Sequence, residues 1–471
     1  MNKIRPFGFR DKIGYLLGDL GNNFTFLLST VLLMKFYTDV LGIPGGTVGT
    51  VMMVARFADG FTDLAMGRIC DRSRPTRRGK FKPWILRICV PVAVASFLMY
   101  QNGMASAPYG LRVAWLFVTY ILWSSVFYTA INIPYGSMAS AISRSPEDRQ
   151  SLSTFRSLGS TFAGLAVGVV IPLFAYVEKD GAEVLDGGRV TVIAAIFSLL
   201  AVLCYLLCHN LVTERVFHSE TPSREKRGLK KILRDVLRNR PLISIVAASA
   251  VMLLAQLTMQ NMAAYLYPEY YGSAAAQSAS TVVMIAGMLL AAAVTGKLSA
   301  RFGKAEVSAV AAAVAGADFL LLFFLRPQSV WVFIGVQWIS WFCLGLFTMM
   351  TWAMITDVID DSQLKFGVRE DGLVYSVYSF SRKLGQALAA GVSGWLLEAI
   401  GYRTGKDGIQ IGQSEEILDG IYNISTLIPA LGFFALGLIL WFWYPLRKGK
   451  VRKNTEALNK ERGHSEEGAS L

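Results

Sequence analysis

The feature that most constrains this chain is a series of twelve apolar runs, each near or above the roughly 20 residues that a helix needs to cross a bilayer. They lie at residues 13–40, 46–70, 83–102, 112–142, 151–177, 189–211, 242–268, 276–300, 305–326, 330–358, 372–400 and 420–446. Hydrophobic residues make up 53% of the 471 residues and charged residues 17%, which describes neither a soluble enzyme nor a disordered chain. We therefore predict an all-α membrane protein with twelve transmembrane helices.

The basic residues gather in short links between the apolar runs. The links after the second, sixth and eighth runs and the C-terminal tail are rich in Lys and Arg, whereas the opposite links are poor in both and the link at 178–186 is acidic. The positive-inside rule then predicts that both termini and the central link are cytoplasmic. The formal net charge of +13 is explained by this asymmetry, so we expect no nucleic-acid partner.

The long basic link divides the chain into two halves of six runs, and the two halves carry similar short motifs at corresponding positions. GRICDR begins at Gly67 after the second run, and GKLSARFGK begins at Gly296 after the eighth, while Arg156 and Lys383 place a cation on the fifth run of each half. Parallel repeats of this kind resemble the major facilitator fold, in which two pseudo-symmetric six-helix bundles hold the substrate site between them. The predicted divisions are 1–211 and 242–446 for the bundles, 212–241 for the cytoplasmic linker and 447–471 for a cytoplasmic tail.

The second run contains ionisable residues at membrane depth. Arg56, Asp59 and Asp63 are spaced by three and four residues, which places them on one helical face. Intramembrane charges are costly and usually serve an ion or substrate path. The alternative is an internally neutralised structural cluster. Because one arginine cannot fully neutralise two carboxylates, the sequence favours a cation or proton site.

Other chemistries find little support in the sequence. The three histidines lie at a helix end, in the central link and in the tail, which favours neither a proton relay nor a zinc site. The five cysteines lie in or at the end of apolar runs without the close paired spacing of a metal site. We find no phosphate-binding loop for ATP-driven transport, and we expect no cleaved signal peptide, no cofactor and no enzyme activity.

Several segments resemble one family, the glycoside-pentoside-hexuronide:cation symporters, the group that contains melibiose permease. These segments are FYTDVLGI from Phe36, ARFADGFTD from Ala55, RRGKFKPW from Arg77, NIPYGS from Asn132, DRQSLSTFR from Asp148 and EDGLVYSVYSFSRKLGQAL from Glu370. The resemblance implies uptake of a sugar or glycoside across the bacterial inner membrane, driven by Na⁺, H⁺ or Li⁺. Its partners would be the small-molecule sugar, the monovalent cation and membrane lipid, with no obligate protein partner evident.

The resemblance also implies a set of site residues. The cation site falls on Asp59 and Asp63, a candidate Na⁺ site, with Thr62 and Thr129 as neutral oxygen ligands; Thr62 has the alternative of bonding a backbone carbonyl. The substrate candidates are Asp19, Asn22, Asn23, Asn132, Tyr135, Gly136, Arg156, Tyr378 and Lys383, with Tyr128 and Tyr375 as further aromatic candidates. The loop motif that would gate transport comprises Gly67, Asp71, Arg72, Arg78 and Lys80. For each tyrosine helix packing is an equal alternative, and for Asp19 the alternative is an ion pair with Arg156 or Lys383.

The chain departs from the melibiose permease pattern at three of these positions. Asn23 and Asn132 align with aspartates, and Gly136 aligns with a tryptophan, so a galactoside preference is in doubt. The pattern looks more like the pentoside and glucuronide branches. We predict a secondary active importer of a sugar or glycoside, including glucuronides or pentosides, that works by alternating access. The alternatives are a carrier of a non-sugar amphipathic solute such as a lysolipid, and a membrane scaffold without transport.

Overall fold

The computed structural model describes residues 5–76, 79–143, 145–179, 181–216, 238–366, 371–405 and 411–468. Most of the predicted basic linker and Arg78 of the loop motif therefore lie outside the described residues, as do the side chains of Asp71 and Tyr375.

Helices make up nearly all of the described chain. They are α1 (Phe9–Asp39), α2 (Gly45–Arg72), α3 (Lys82–Leu98), α4 (Tyr109–Ile121), α5 (Thr129–Ile142), α6 (Pro146–Phe174), α7 (Gly187–Leu211), α8 (Arg240–Tyr265), α9 (Ala274–Phe302), α10 (Lys304–Leu325), α11 (Val330–Phe366), α12 (Asp371–Ala399), α13 (Glu415–Leu438) and α14 (Lys448–Gly468). Three π-helical segments, Leu122–Tyr128, Leu266–Tyr270 and Ile439–Trp443, continue α4, α8 and α13, and Asn102–Ser106 is a short 3₁₀ helix.

Most predicted apolar runs coincide with one of these helices, with or without its π segment, within about five residues. The fourth run, 112–142, instead covers α4, the π segment and α5, and the tenth run, 330–358, ends well before α11 does at Phe366. In the described part of the chain, nine helices are long and apolar enough to cross a membrane. The runs at α2, α3 and α12 contain charged residues within their length, and their membrane crossing remains a prediction. The all-α class needs one addition: Tyr176–Lys179 (β1) and Ala182–Leu185 (β2) form an antiparallel hairpin between α6 and α7.

The chain forms two compact units. The first unit contains Met1–Ser223, Gln260–Val282 and Ala390–Ile421, and the second contains Arg224–Met259, Val283–Ala389 and Tyr422–Leu471. The first unit thus holds α1 to α7 together with shorter segments from later in the chain.

Helix α1 packs against α6 and α7 in the first unit. The approach to α7 is close because glycines line that face of α1: a Cβ on Gly21 would lie 3.1 Å from the carbonyl oxygen of Ala201, and one on Gly18 would lie 2.8 Å from Sγ of Cys208. Small residues permit such contact between helix backbones in a membrane. The same packing fixes the part of α1 that carries Asp19 and Asn23.

Residues 212–216 after α7, here called the strap, are hydrogen-bonded to the start of α3 through Glu214. The Glu214 carboxylate, 6% exposed, accepts the backbone N–H groups of Lys80 at 2.6 Å, Phe81 at 2.9 Å and Lys82 at 2.7 Å. The last of these is the first residue of α3, where unsatisfied N–H groups and the helix dipole favour an anion. Gly79 has φ of +114°, and a Cβ there would lie 2.5 Å from the Glu214 carboxyl carbon, so the loop requires glycine at this position.

Candidate functional site

A π-helical segment positions hydroxyl groups against the two aspartates of α2. Leu122–Tyr128 interrupts the long helix formed by α4 and α5, and π turns of this kind occur frequently at functional sites. The Ser125 hydroxyl donates to Oδ1 of Asp59 at 2.5 Å, and the Thr129 hydroxyl donates to Oδ1 of Asp63 at 2.7 Å. The structure thus brings Asp59, Asp63 and Thr129 of the predicted cation site together.

Arg56 lies beside this group on the same face of α2. Its Nη1 is 3.5 Å from Oδ2 of Asp59, a carboxylate that is 6% exposed. The guanidinium carbon lies 5.1 Å from the ring centroid of Phe26 and 6.0 Å from that of Trp123. Cation–π attraction in this aromatic surrounding holds the arginine in place.

The oxygen atoms at this site suit a small hard cation. Two carboxylates and the hydroxyls of Ser125 and Thr129 supply oxygen donors alone, which hard cations prefer over nitrogen or sulfur. The Thr62 hydroxyl donates to the backbone carbonyl of Asp59 at 3.3 Å, the alternative expected for a helical threonine. Among the described residues there is no cluster of three or more His, Cys, Asp or Glu side chains that could hold a metal ion. The oxygen donors are compatible with a small monovalent cation or a proton, as the sequence predicts.

A second polar cluster joins α1 to α6. Oδ1 of Asp19 is 3.0 Å from Nε of Arg156, and Oδ2 accepts a hydrogen bond of 2.8 Å from the Asn23 amide. Asp19 is 4% exposed, whereas the Arg156 side chain is 46% exposed. The ion pair is the alternative that the sequence left open for Asp19. It orients the guanidinium while leaving half of the arginine side chain accessible.

The ring of Tyr135 packs against the guanidinium of Arg156. The Arg156 guanidinium carbon lies 5.7 Å from the Tyr135 ring centroid. Tyr135 is fully buried, stacks on Tyr15 at 4.7 Å between centroids and donates its hydroxyl to the Tyr15 carbonyl at 2.7 Å. In this conformation Tyr135 positions Arg156 and does not present its ring to a solute.

The asparagine candidates differ in their surroundings. Asn22 is 2% exposed and accepts a hydrogen bond of 2.9 Å from the Tyr205 hydroxyl. Asn132 is half-buried on α5, one turn from Thr129 and one turn from Gly136, so these three positions share one helical face. A Cβ on Gly136 would have no neighbouring atom within 4 Å. The face of α5 that begins at the aspartate pocket therefore continues into open space.

The remaining candidates are placed as follows. Tyr378, in the second unit, is 3% exposed and packs edge-on against Trp352 at 5.2 Å, and Lys383 is half-buried on α12. In the loop motif Gly67 lies within α2, Arg72 is exposed at the end of that helix, and Lys80 uses its backbone N–H to bind Glu214.

Sequence reasoning missed two residues with important polar contacts, one at the aspartate site and one at the start of α3. Ser125 binds Asp59 directly, and the signal that could have found it is the pair of serines in an otherwise apolar run. Glu214 left no such signal, because the amides that it binds are more than 130 residues earlier in the chain.

The sequence and the fold were compared with known proteins. Residues 14–448 match the family described as MFS/sugar transport protein. An uncharacterized symporter of Bacillus subtilis (strain 168) is 31% identical over 94% of this chain and 93% of its own, and a glucuronide carrier protein homolog of Escherichia coli (strain K12) is 27% identical over 95% of each. The crystal structure of a D-xylose-proton symporter superposes with a TM-score of 0.63 at 14% identity, covering 93% of this chain and 98% of the other.

The matched region spans all the helices that carry the two polar clusters, and the similar structure has the major facilitator fold. The protein is therefore a multi-pass membrane transporter and not an enzyme. It belongs to the MFS/sugar transport family, within the glycoside-pentoside-hexuronide:cation symporters that the sequence motifs resemble.

Proposed function

We propose that this protein imports an anionic sugar or glycoside, such as a glucuronide, together with Na⁺ or H⁺. The two sequence halves would alternate access to a central site, with both termini in the cytoplasm of a bacterial cell. The substrate proposal rests on the guanidinium of Arg156, whose side chain is about half exposed. Asp19 pairs with its Nε, and the Tyr135 ring lies against it.

The way in which Arg156 is held leaves its carboxylate-binding groups available. Its contact with Asp19 uses Nε, and its terminal amino groups make no hydrogen bond to any residue that the structure describes. A guanidinium presents parallel N–H donors that match both oxygens of a carboxylate. Because the side chain is already oriented, little rotamer freedom remains to be lost on binding. A substrate carboxylate is therefore a suitable ligand for this group.

A neutral glycoside is the competing substrate. Asp19 formally neutralises Arg156, so an anion is not required for charge balance at this pair. Asn23 and Asn132, where the melibiose type has aspartates, lower the negative charge of the region and favour an anion. The similarity to a glucuronide carrier homolog also supports the anionic substrate.

The proposed coupling site is the group of Asp59, Asp63, Ser125 and Thr129. Its carboxylates lie in a helix interior, where an ionisable residue is costly unless it serves transport or is balanced by a partner. A bound Na⁺ or proton would balance their charge together with Arg56. Each hydroxyl donates its hydrogen to a carboxylate oxygen, so its own oxygen lone pairs stay available to ligate a bound Na⁺.

A carrier of lysolipids and a scaffold without transport are not favoured, because the matched family is described as MFS/sugar transport protein and two relatives are named as a glucuronide carrier homolog and a glycoside/cation symporter.

The experiment compares uptake of a labelled glucoside and its matching glucuronide by cells that express the wild type, Arg156→Gln or Arg149→Gln. Arg149 lies on the same face of α6 but is exposed and bound to the Ser143 carbonyl, so it serves as the matched control. We expect glucuronide uptake to exceed glucoside uptake and to fall at least tenfold in Arg156→Gln alone. Equal or better transport of the glucoside, unchanged in Arg156→Gln, contradicts the anionic proposal.

A further inference from the structure

A buried charged cluster lies in the first unit away from both polar clusters described above. We call it the Lys35 cluster and define it as Lys35 and Asp39 of α1, Tyr265 of α8, Glu269 of the π segment Leu266–Tyr270, and Tyr402, which follows α12. The side chains of Lys35 and Asp39 are 0% exposed and that of Glu269 is 5% exposed. The cluster joins the C-terminal end of α1 to segments from the second half of the sequence.

One ammonium group faces two carboxylates in the Lys35 cluster. Nζ of Lys35 lies 2.7 Å from Oδ2 of Asp39, contacts Oε1 of Glu269 and lies 4.4 Å from the Tyr265 ring centroid. With both carboxyls ionised, these groups would carry a net charge of −1. Burial of an uncompensated charge is strongly unfavourable, and a buried group neutralises instead.

The neighbouring groups of the described chain do not supply the missing positive charge. They are Thr38, whose hydroxyl lies 2.8 Å from Oδ1 of Asp39; Tyr176 of β1, which donates to the Ala264 carbonyl; Glu183 of β2, which binds the Ala274 amide; and Arg112 of α4, which binds the Leu41 carbonyl. Of these four groups, Arg112 alone is cationic, and the structure shows it bound to a backbone oxygen rather than to either carboxylate of the cluster.

The hydrogen bonds also indicate that the two carboxylates lack one proton donor. The Tyr402 hydroxyl oxygen lies 2.9 Å from Oδ1 of Asp39 and 2.6 Å from Oε1 of Glu269, yet a hydroxyl has one hydrogen to donate. Oε2 of Glu269 is buried and has no hydrogen-bond partner among the described residues. An ionised carboxylate oxygen in that position is much more costly than a neutral carboxyl.

Burial keeps bulk water away from these groups, because the side chains of Lys35 and Asp39 are fully buried and that of Glu269 is nearly so. The backbone amide of Gly405 also donates to the Thr38 carbonyl at 2.9 Å, next to the cluster. A proton, unlike a metal ion, can correct the charge without needing additional volume.

We propose that Asp39 and Glu269 share one bound proton when the Lys35 cluster is assembled, which makes this cluster a proton-binding site separate from the coupling site. The assembled cluster binds one more proton than the separated one, since separation exposes both carboxyls to water. Acid therefore stabilises the assembled state. The ratio of assembled to separated protein falls by up to about tenfold per pH unit over the pH range in which the assembled cluster still holds the proton and the separated carboxyls are ionised.

In the proposed orientation the cluster lies at the outer end of α1. Opening of the transporter toward the outside requires it to separate, so external pH controls that opening. This consequence rests on the proposed function, whereas the bound proton rests on the cluster geometry alone.

Infrared difference spectroscopy on the full-length protein in lipid, without sugar, tests the proton directly. As the pH is raised, the wild type should lose a protonated-carboxyl band that is absent from Glu269→Gln and from Asp39→Asn, because either amide leaves one carboxylate for one lysine. Glu178→Gln, at an exposed position on β1, is the matched control and should keep the band. The proposal is overturned if both cluster variants keep the full set of protonated-carboxyl bands. It is also overturned if the wild-type spectrum does not change with pH.

Spin labels at Gly103 and Ala275, both exposed in the first unit, provide the conformational readout. The distance distribution should shift toward separation with rising pH in the wild type and in Glu178→Gln, and should be pH-independent in Glu269→Gln. A pH response of wild-type size in Glu269→Gln contradicts the link between the proton and opening. Neither readout depends on sugar transport, so a failure here is distinguishable from a failure of the proposed function.

Discussion

Substitution of Glu214 by glutamine is expected to weaken the strap that holds the start of α3. The carboxylate accepts three backbone N–H groups, two at Oε1 and one at Oε2, and it is 6% exposed. Glutamine keeps the size of the side chain but replaces one acceptor oxygen with an NH₂ group. One buried N–H then faces another donor, and the remaining two bonds lose their charge assistance.

The magnitude follows from these three contacts. A buried donor without an acceptor costs about 1–3 kcal/mol, and the change from charged to neutral acceptor costs about 1 kcal/mol for each of the other two bonds. Loss of the anion beside the N-terminus of α3 adds about 0.3–1 kcal/mol. The sum is about 3–6 kcal/mol, a large part of the stability of an ordinary domain.

Thermal unfolding in detergent and hydrogen exchange at residues 79–82 measure this effect. We expect Glu214→Gln to unfold at a clearly lower temperature and to lose exchange protection at Lys80 and Phe81. Glu456→Gln is the matched control, because Glu456 is 63% exposed in its pair with Arg452 and such surface pairs contribute about 0–1 kcal/mol. A melting temperature and exchange pattern for Glu214→Gln that match the control would refute the capping role.

Three further predictions concern the candidate sites. Asp63→Asn should abolish accumulation of the sugar against its gradient while retaining sugar exchange, as measured by uptake and counterflow in vesicles; full gradient-driven accumulation contradicts the coupling role. Thr129→Val should raise the Na⁺ concentration needed for half-maximal uptake by about tenfold or more, because a hydrogen bond to a charged group contributes about 1.5–3 kcal/mol, and Thr129→Ser should not. Gly136→Trp should fold normally, because its Cβ meets open space, yet raise KM about tenfold relative to the exposed control Gly110→Trp; an unchanged KM places the substrate elsewhere.

The helices could be predicted from the sequence because apolar length is a local property. The shared face of Asp59 and Asp63 could also be predicted, since it follows from a spacing of four residues. The pair of serines at 124 and 125 marks this segment in the sequence, but the choice of Ser125 as the partner of Asp59 could not be predicted. The π turn decides which side chains of Leu122–Tyr128 face α2, and π and α segments have no distinguishing local pattern.

Contacts between segments far apart in the chain could not be predicted from the sequence. Lys35, Asp39 and Glu269 each look like polar residues at the end of an apolar run, where solvent exposure is the ordinary expectation. Their burial results from the packing of α1 against segments more than 200 residues later. Glu214 is similar, because its partners are backbone amides and carry no side-chain signature.

Cation-coupled sugar import is measured by uptake of a labelled glucuronide into membrane vesicles with an imposed Na⁺ or H⁺ gradient. We expect accumulation above the external concentration when one of these gradients is present, and simple equilibration when that gradient is collapsed. Equilibration to the same level with every cation gradient, or no entry of any labelled glycoside, would contradict a cation-coupled sugar importer.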